Sequence, residues 1–133
     1  MKRLKKYLRK VHWGDKRRDR KPYLHHLYRV ADMVFNLTGS HTLYKIALFH
    51  DSIELHDSME LRKFLKKEKI FKEVLILSQS GGETYMQYLD RIRSYKKLIV
   101  IKIMDMIDNA CDSPTNKQKL KYREGLRFLL RYY

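Results

Sequence analysis

Leu43-Tyr44-Lys45-Ile46-Ala47-Leu48-Phe49-His50-Asp51-Ser52-Ile53-Glu54 is an apolar run that ends in a histidine, a carboxylate and, three residues later, a second carboxylate. Ala, Leu and Phe around these ionisable groups predict a helix in the protein interior. Burying His-Asp-x-x-Glu there costs several kcal/mol unless something compensates the charge. A bound divalent cation would do so. An N-cap or a salt-bridged surface turn is the plainer alternative. The rest of the chain decides between them by whether it supplies the partners that a metal needs.

Working outward from this run, helical periodicity recurs in both directions. Residues 2–12 place Leu4, Tyr7, Leu8 and Val11 on one face and Lys/Arg on the other, and Trp13-Gly14 ends the pattern. Residues 14–21 contain no apolar side chain and read as a loop. Pro22 suits the first turn of a helix whose stripe is Tyr23, His26, Leu27, Val30, Met33, Val34 and Leu37. His26 then points inward and His25 to the rim; a lone histidine on such a stripe also fits a satisfied core residue. Thr38-Gly39-Ser40 ends that helix, and Ser40 caps the central one at 41–55.

Downstream, Asp57-Ser58-Met59-Glu60 resembles a capping box before a charged helix to Lys69. Short helices are expected from Phe71 and over 83–94, separated by Ser80-Gly81-Gly82. The most apolar stretch, 96–111, is β-branched enough to suggest a strand, but its length favours a helix. It carries Lys102, Asp105, Asp108 and Asn109, with Asp105 and Asn109 on one face. Thr115-x-x-Gln118 opens a last helix, expected to bury Leu120, Leu126, Phe128 or Leu129, and Leu130. The expectation is an all-α bundle of seven to eight helices forming one domain over residues 1–133.

Composition agrees. The chain is 44% hydrophobic and 12% aromatic, which excludes disorder, and its 5 Gly and 2 Pro suit helices better than a turn-rich β fold. One cysteine, Cys111, excludes an internal disulfide and fits a reducing compartment. No apolar run approaches a membrane span, and Met1–Lys6 lacks an uncharged region after its basic residues. The expected location is therefore the cytoplasm, with no membrane partner. The net charge of +15 is uneven. Residues 1–21 hold eleven Lys/Arg against two Asp, and residues 117–131 hold six against Glu124 alone. Such a field attracts polyanions, whether nucleotide, nucleic acid or an acidic protein.

His26, His50, Asp51 and Asp105 thus become four candidate ligands on three helices. Two imidazoles and two carboxylates suit Mn²⁺, Fe²⁺ or Zn²⁺ better than Ca²⁺, and the lack of Cys argues against structural zinc. Such an ion would lower the pKa of a water and neutralise transition-state charge. Glu54 is the group best placed to orient or deprotonate that water.

These residues resemble the HD-domain metal-dependent phosphohydrolases, more narrowly the (p)ppGpp hydrolase domain of alarmone synthetase-hydrolases and its small stand-alone relatives. His12-Trp13-Gly14 is similar to the family's "AHxGQ", Pro22 to Val30 to "PYxxHxxRV", and Ala47 to Glu54 to "ALLHDxxED". Gly82 to Ile92 resembles "GExYxxYIxRI", and Lys102 to Asn109 resembles "KLADLxDN". The five segments keep family order over roughly residues 8–112.

The resemblance implies an all-α fold and Mn²⁺ held by His26, His50, Asp51 and Asp105. It further implies that water attacks a phosphate with Glu54 and Asp51 in catalytic roles. It places Arg17, Arg18, Lys102 and Asn109 at a nucleotide such as (p)ppGpp. Arg17 and Arg18 also fit a solvated loop, Lys102 a carboxylate partner, and His12 a supporting position. Leu55 departs from the family, which has Asp there; the departure bears on rate and substrate. It also favours the alternative function, an HD-like module that binds nucleic acid or an acidic partner through its basic surface.

Overall fold

The computed structural model describes residues 1–133, and its secondary structure is all α-helical. Nine helices follow one another: α1 (Lys2–Val11), α2 (Tyr23–Thr38), α3 (His41–Phe49), α4 (Ser52–His56), α5 (Met59–Lys67), α6 (Phe71–Ile76), α7 (Tyr85–Ile92), α8 (Lys96–Ala110) and α9 (Asn116–Leu130). They close around one cluster of 26 buried apolar residues. The β-branched stretch of α8 is helical, and α8 is the central element, packed against α2, α3, α7 and α9. No helix is long and apolar enough to cross a membrane.

The helix expected over 41–55 is two helices. The chain turns at His50 and Asp51, between α3 and α4. The break leaves carbonyls without helical partners, and local side chains take them up. His50 Nδ1 donates to the Ala47 carbonyl at 2.6 Å, and Ser52 Oγ donates to the Phe49 carbonyl at 2.7 Å. Asp51 sits at the N-cap of α4 but makes no side-chain capping bond there, which frees its carboxylate for other partners.

Three further expectations change. The cap of α5 is Ser58, whose hydroxyl accepts from Leu61 N; Asp57 instead holds Arg62 in two hydrogen bonds. Leu37, at the far end of the α2 stripe, is exposed. In α9 the buried residues are Gly125 and Leu129, whereas Leu120 and Leu130 face outward. The cause lies at Gly125, where a Cβ would stand 2.9 Å from Met106 Sδ and 3.0 Å from Leu89 Cδ1. The helix docks through this bare backbone, and the docking face follows Tyr122, Gly125, Leu126 and Leu129. The caps Ser40, Thr84 and Thr115 all accept from the backbone N–H three residues on.

Candidate metal centre

Three helices deliver four ligand-type side chains to one point. α2 contributes His26, the α3–α4 break contributes His50 and Asp51, and α8 contributes Asp105. One donor atom from each lies within 4.8 Å of the others. His26, His50 and Asp105 are buried; Asp51 is partly so. His50 Nε2 is 3.1 Å from both Asp51 Oδ2 and Asp105 Oδ1, and His26 Nε2 is 3.1 Å from Asp105 Oδ1 and 3.6 Å from Asp51 Oδ2.

The outer nitrogens of both rings fix their orientation. His50 Nδ1 meets a backbone carbonyl, which can only accept, so this nitrogen carries a proton. His26 Nδ1 likewise donates to Asp108 Oδ2 at 2.7 Å. Both Nε2 atoms therefore face two carboxylate oxygens. Asp105 Oδ1 lies off the N–H axis of His26, so His26 Nε2 is buried without an aligned hydrogen bond. Two nitrogen lone pairs and two anionic oxygens cannot converge without positive charge between them. Protonating the rings is one remedy: burial opposes it, but Asp105, Asp108 and Asp51 outweigh burial and raise His26 to about 9. His50 is raised too, against burial, by Asp51 and Asp105. A divalent cation is the other remedy, and the donor set fits one: two imidazoles, each with its outer N–H engaged, and two carboxylates.

The surroundings hold this set in place. Tyr23 donates its hydroxyl to Asp51 Oδ2 at 2.7 Å. Lys102, buried in the middle of α8, donates to Asp105 Oδ2 at 2.7 Å, with its ammonium 5.0 Å from the Tyr88 ring centroid. It stands as the counter-charge of Asp105. Asn109 donates to Asp105 Oδ1 at 3.2 Å and accepts from Arg17 at 2.8 Å. Arg17 also reaches Asp112 at 3.1 Å, so its guanidinium is fully engaged within the protein, while Arg18 is exposed. Asp108 is a functional residue that the motif alone does not single out. It accepts from His26 and, through two bonds at 2.7 and 3.1 Å, from Arg29. The signal was present in the sequence, since Asp108 follows Asp105 by one turn and Arg29 follows His26 by one turn.

Glu54 lies one turn beyond Asp51 on α4. It is exposed and makes no hydrogen bond, and it lines a cleft of about 560 Å³ with Ser78, Gln79 and Arg91. Partial desolvation of its carboxyl, then the charge of Asp51, push its pKa up. Leu55 beside it is 48% exposed. Lys16, Arg17, Arg18, Tyr23, Asn109 and Tyr122 line most of a second cavity of about 230 Å³. Tyr23 and Asn109 line this cavity and also hydrogen-bond to Asp51 and Asp105 of the cluster.

Comparison of the chain with known protein-family models and with curated proteins finds no match. The helical architecture and the His/Asp cluster are compatible with an HD domain, and the cluster can hold a metal ion.

Proposed function

We propose that the chain is a metal-dependent nucleotide phosphohydrolase, with (p)ppGpp as substrate and removal of its 3′-pyrophosphate as the reaction. The observation that carries the hydrolase reading is the convergence of His26, His50, Asp51 and Asp105, with His26 Nε2 buried and unpartnered at its centre. The choice of (p)ppGpp rests on the five-segment resemblance and on the basic cavity next to the cluster.

His26, His50, Asp51 and Asp105 would hold the ion, with Mn²⁺ suited to this mixed N/O set. When bound, it supplies a Lewis acid for a phosphoryl oxygen and acidifies water. Glu54, with its raised pKa, accepts the proton of the attacking water as the P–O bond to the ribose 3′ oxygen breaks, and that oxygen takes a proton from solvent to leave as the 3′ hydroxyl. Arg18 and Lys16 bind phosphate, and Tyr122 offers a ring face to the base. Arg17 and Lys102 act from within the protein: Arg17 fixes Asn109, and Lys102 keeps Asp105 ionised. Leu55 leaves Glu54 as the single carboxylate at its position on α4.

The test is phosphate and pyrophosphate release from ppGpp, pppGpp, GTP and dNTPs, with and without Mn²⁺, with Asp105→Ala as control. Mn²⁺-dependent turnover of ppGpp that is lost in Asp105→Ala is the expected result. Turnover of a different nucleotide would keep the mechanism and replace the substrate. No turnover by folded, metal-loaded protein would overturn the hydrolase reading in favour of a binding module.

A further inference from the structure

A second cluster of metal-type ligands lies outside the site described above. His12 caps the C-terminus of α1, Asp15 follows it by one tight turn, and His56 is the last residue of α4. His12 Nδ1 is 2.9 Å and His56 Nε2 is 2.5 Å from the same oxygen, Asp15 Oδ2. The two rings are nearly perpendicular, at 82°, with centroids 5.3 Å apart. The backbone builds the turn: Gly14 adopts φ +79°, a conformation that costs other residues energy, and brings Asp15 N within 3.1 Å of the His12 carbonyl. The Asp15 carbonyl in turn accepts from Tyr23 N at 2.9 Å, which anchors Asp15 to the start of α2.

One feature sets this trio apart from an ordinary hydrogen-bonded turn: two imidazole nitrogens, His12 Nδ1 on a wholly buried side chain and His56 Nε2 on a more exposed one, converge on one carboxylate oxygen. Ligands about 2.0–2.1 Å from a tetrahedral ion stand about 3.3 Å apart. The trio is slightly tighter than this, and His56, at 37% side-chain exposure, has room to open it.

We propose that His12, Asp15 and His56 form a second cation site, of the Zn²⁺ class, tying the end of α1 to the end of α4. Three protein ligands of N, N, O type with the fourth position open to solvent match the preferences of that ion. The buried His12 forms the floor and the more exposed Asp15 and His56 form the rim. Tyr23 connects the two sites: its ring stacks on His12 at 5.6 Å, and its hydroxyl donates to Asp51. An ion held here clamps the turn leading into Lys16, Arg17 and Arg18, and so the wall of the basic cavity.

The experiment is equilibrium dialysis of the whole chain against Zn²⁺, paired with anomalous scattering from Zn²⁺-soaked crystals. The wild type is expected to bind one equivalent more than His56→Gln and than Asp15→Asn, with a scattering peak between the three side chains that both variants lose. His56 is exposed, and unchanged melting of His56→Gln would show the fold intact. Equal stoichiometry in wild type and His56→Gln, or no peak at the trio, overturns the proposal. If the His26 cluster binds nothing, the wild type still binds one equivalent that His56→Gln loses, so the two sites fail or succeed separately.

Discussion

A ligating imidazole needs its second nitrogen held, and His26 is held by Asp108, which Arg29 grips through two further bonds. Asp108 keeps a charge well below the usual carboxylate range: burial opposes this, but His26 and Arg29 outweigh it. Replacing it with Asn keeps the shape and removes the charge that aligns His26. Loss of such a partner typically weakens metal affinity about 10–100-fold. Asp108→Asn is therefore expected to bind Mn²⁺ about 10–100-fold more weakly with unchanged helical circular dichroism, measured by the electron paramagnetic resonance of free Mn²⁺. Unchanged affinity would reduce Asp108 to a partner of Arg29 alone. Lys102 shows the same logic from the other side. A buried lysine in the most apolar helix is costly on its own, and the 2.7 Å bond to Asp105 makes the pair tolerable.

At the scale of elements, much was legible from periodicity and caps. The buried side of α2 and the capping box of α9 follow from residue spacing, and His26, His50, Asp51 and Asp105, expected as ligands from three helices, do come together; the capping box of α7, Thr84 with Gln87, is found only in the structure. The break at His50-Asp51 was not legible, because no Gly or Pro marks it; side-chain bonds to Ala47 and Phe49 stabilise it instead. The face of α9 is not legible in the sequence, because the residue that docks, Gly125, has no side chain to count. Gly125→Ala gains about 1 kcal/mol of helix propensity but forces a methyl against Met106, Leu89 and Tyr85. Overpacking of this kind costs about 1–3 kcal/mol, so a net loss of about 1 kcal/mol is expected in urea melts, and a stabilised variant would refute the docking argument.

The α6–α7 loop is stapled by Arg91, which donates to the Ile76 and Ser78 carbonyls and to both oxygens of Glu83. The Arg91 bonds, then the Ser80 N–H, hold Glu83 down at about 2. A depressed carboxylate stabilises the fold above its ordinary value and loses that contribution as pH falls toward the folded value. The stability difference between wild type and Glu83→Gln should then be present at pH 7, shrink below about 4.5 and vanish near 2. The pair is partly exposed, which limits the effect to about 1 kcal/mol or less. Urea melts of both proteins across that range test it, because the carboxylates common to the two cancel. A difference that does not change with pH would show that Glu83 acts through packing.

For the molecule as a whole, the net charge of +15 matters through where it remains unpaired. On α1, Arg3 is paired with Glu68 and Lys10 with Glu60. Arg17 is neutralised by Asp108 and Asp112. What remains beside the basic cavity is Lys16 and Arg18, with exposed Arg20 and Lys21 on the same loop. A highly charged nucleotide approaching this loop meets a field that salt screens over about 10 Å at 0.1 M and about 3 Å at 1 M. If the chain hydrolyses ppGpp as proposed, raising ionic strength should increase KM for it several-fold while kcat stays constant, because in that reading the screened charges bind phosphate and do not touch the reacting atoms. Arg18→Gln should start from a higher KM and show a flatter dependence on salt. Steady-state kinetics at several salt concentrations separate the two parameters. A fall in kcat with constant KM would place the salt-sensitive charges at the cluster itself. A slope unchanged in Arg18→Gln would move phosphate recognition off this loop and toward the basic faces of α1 and α9.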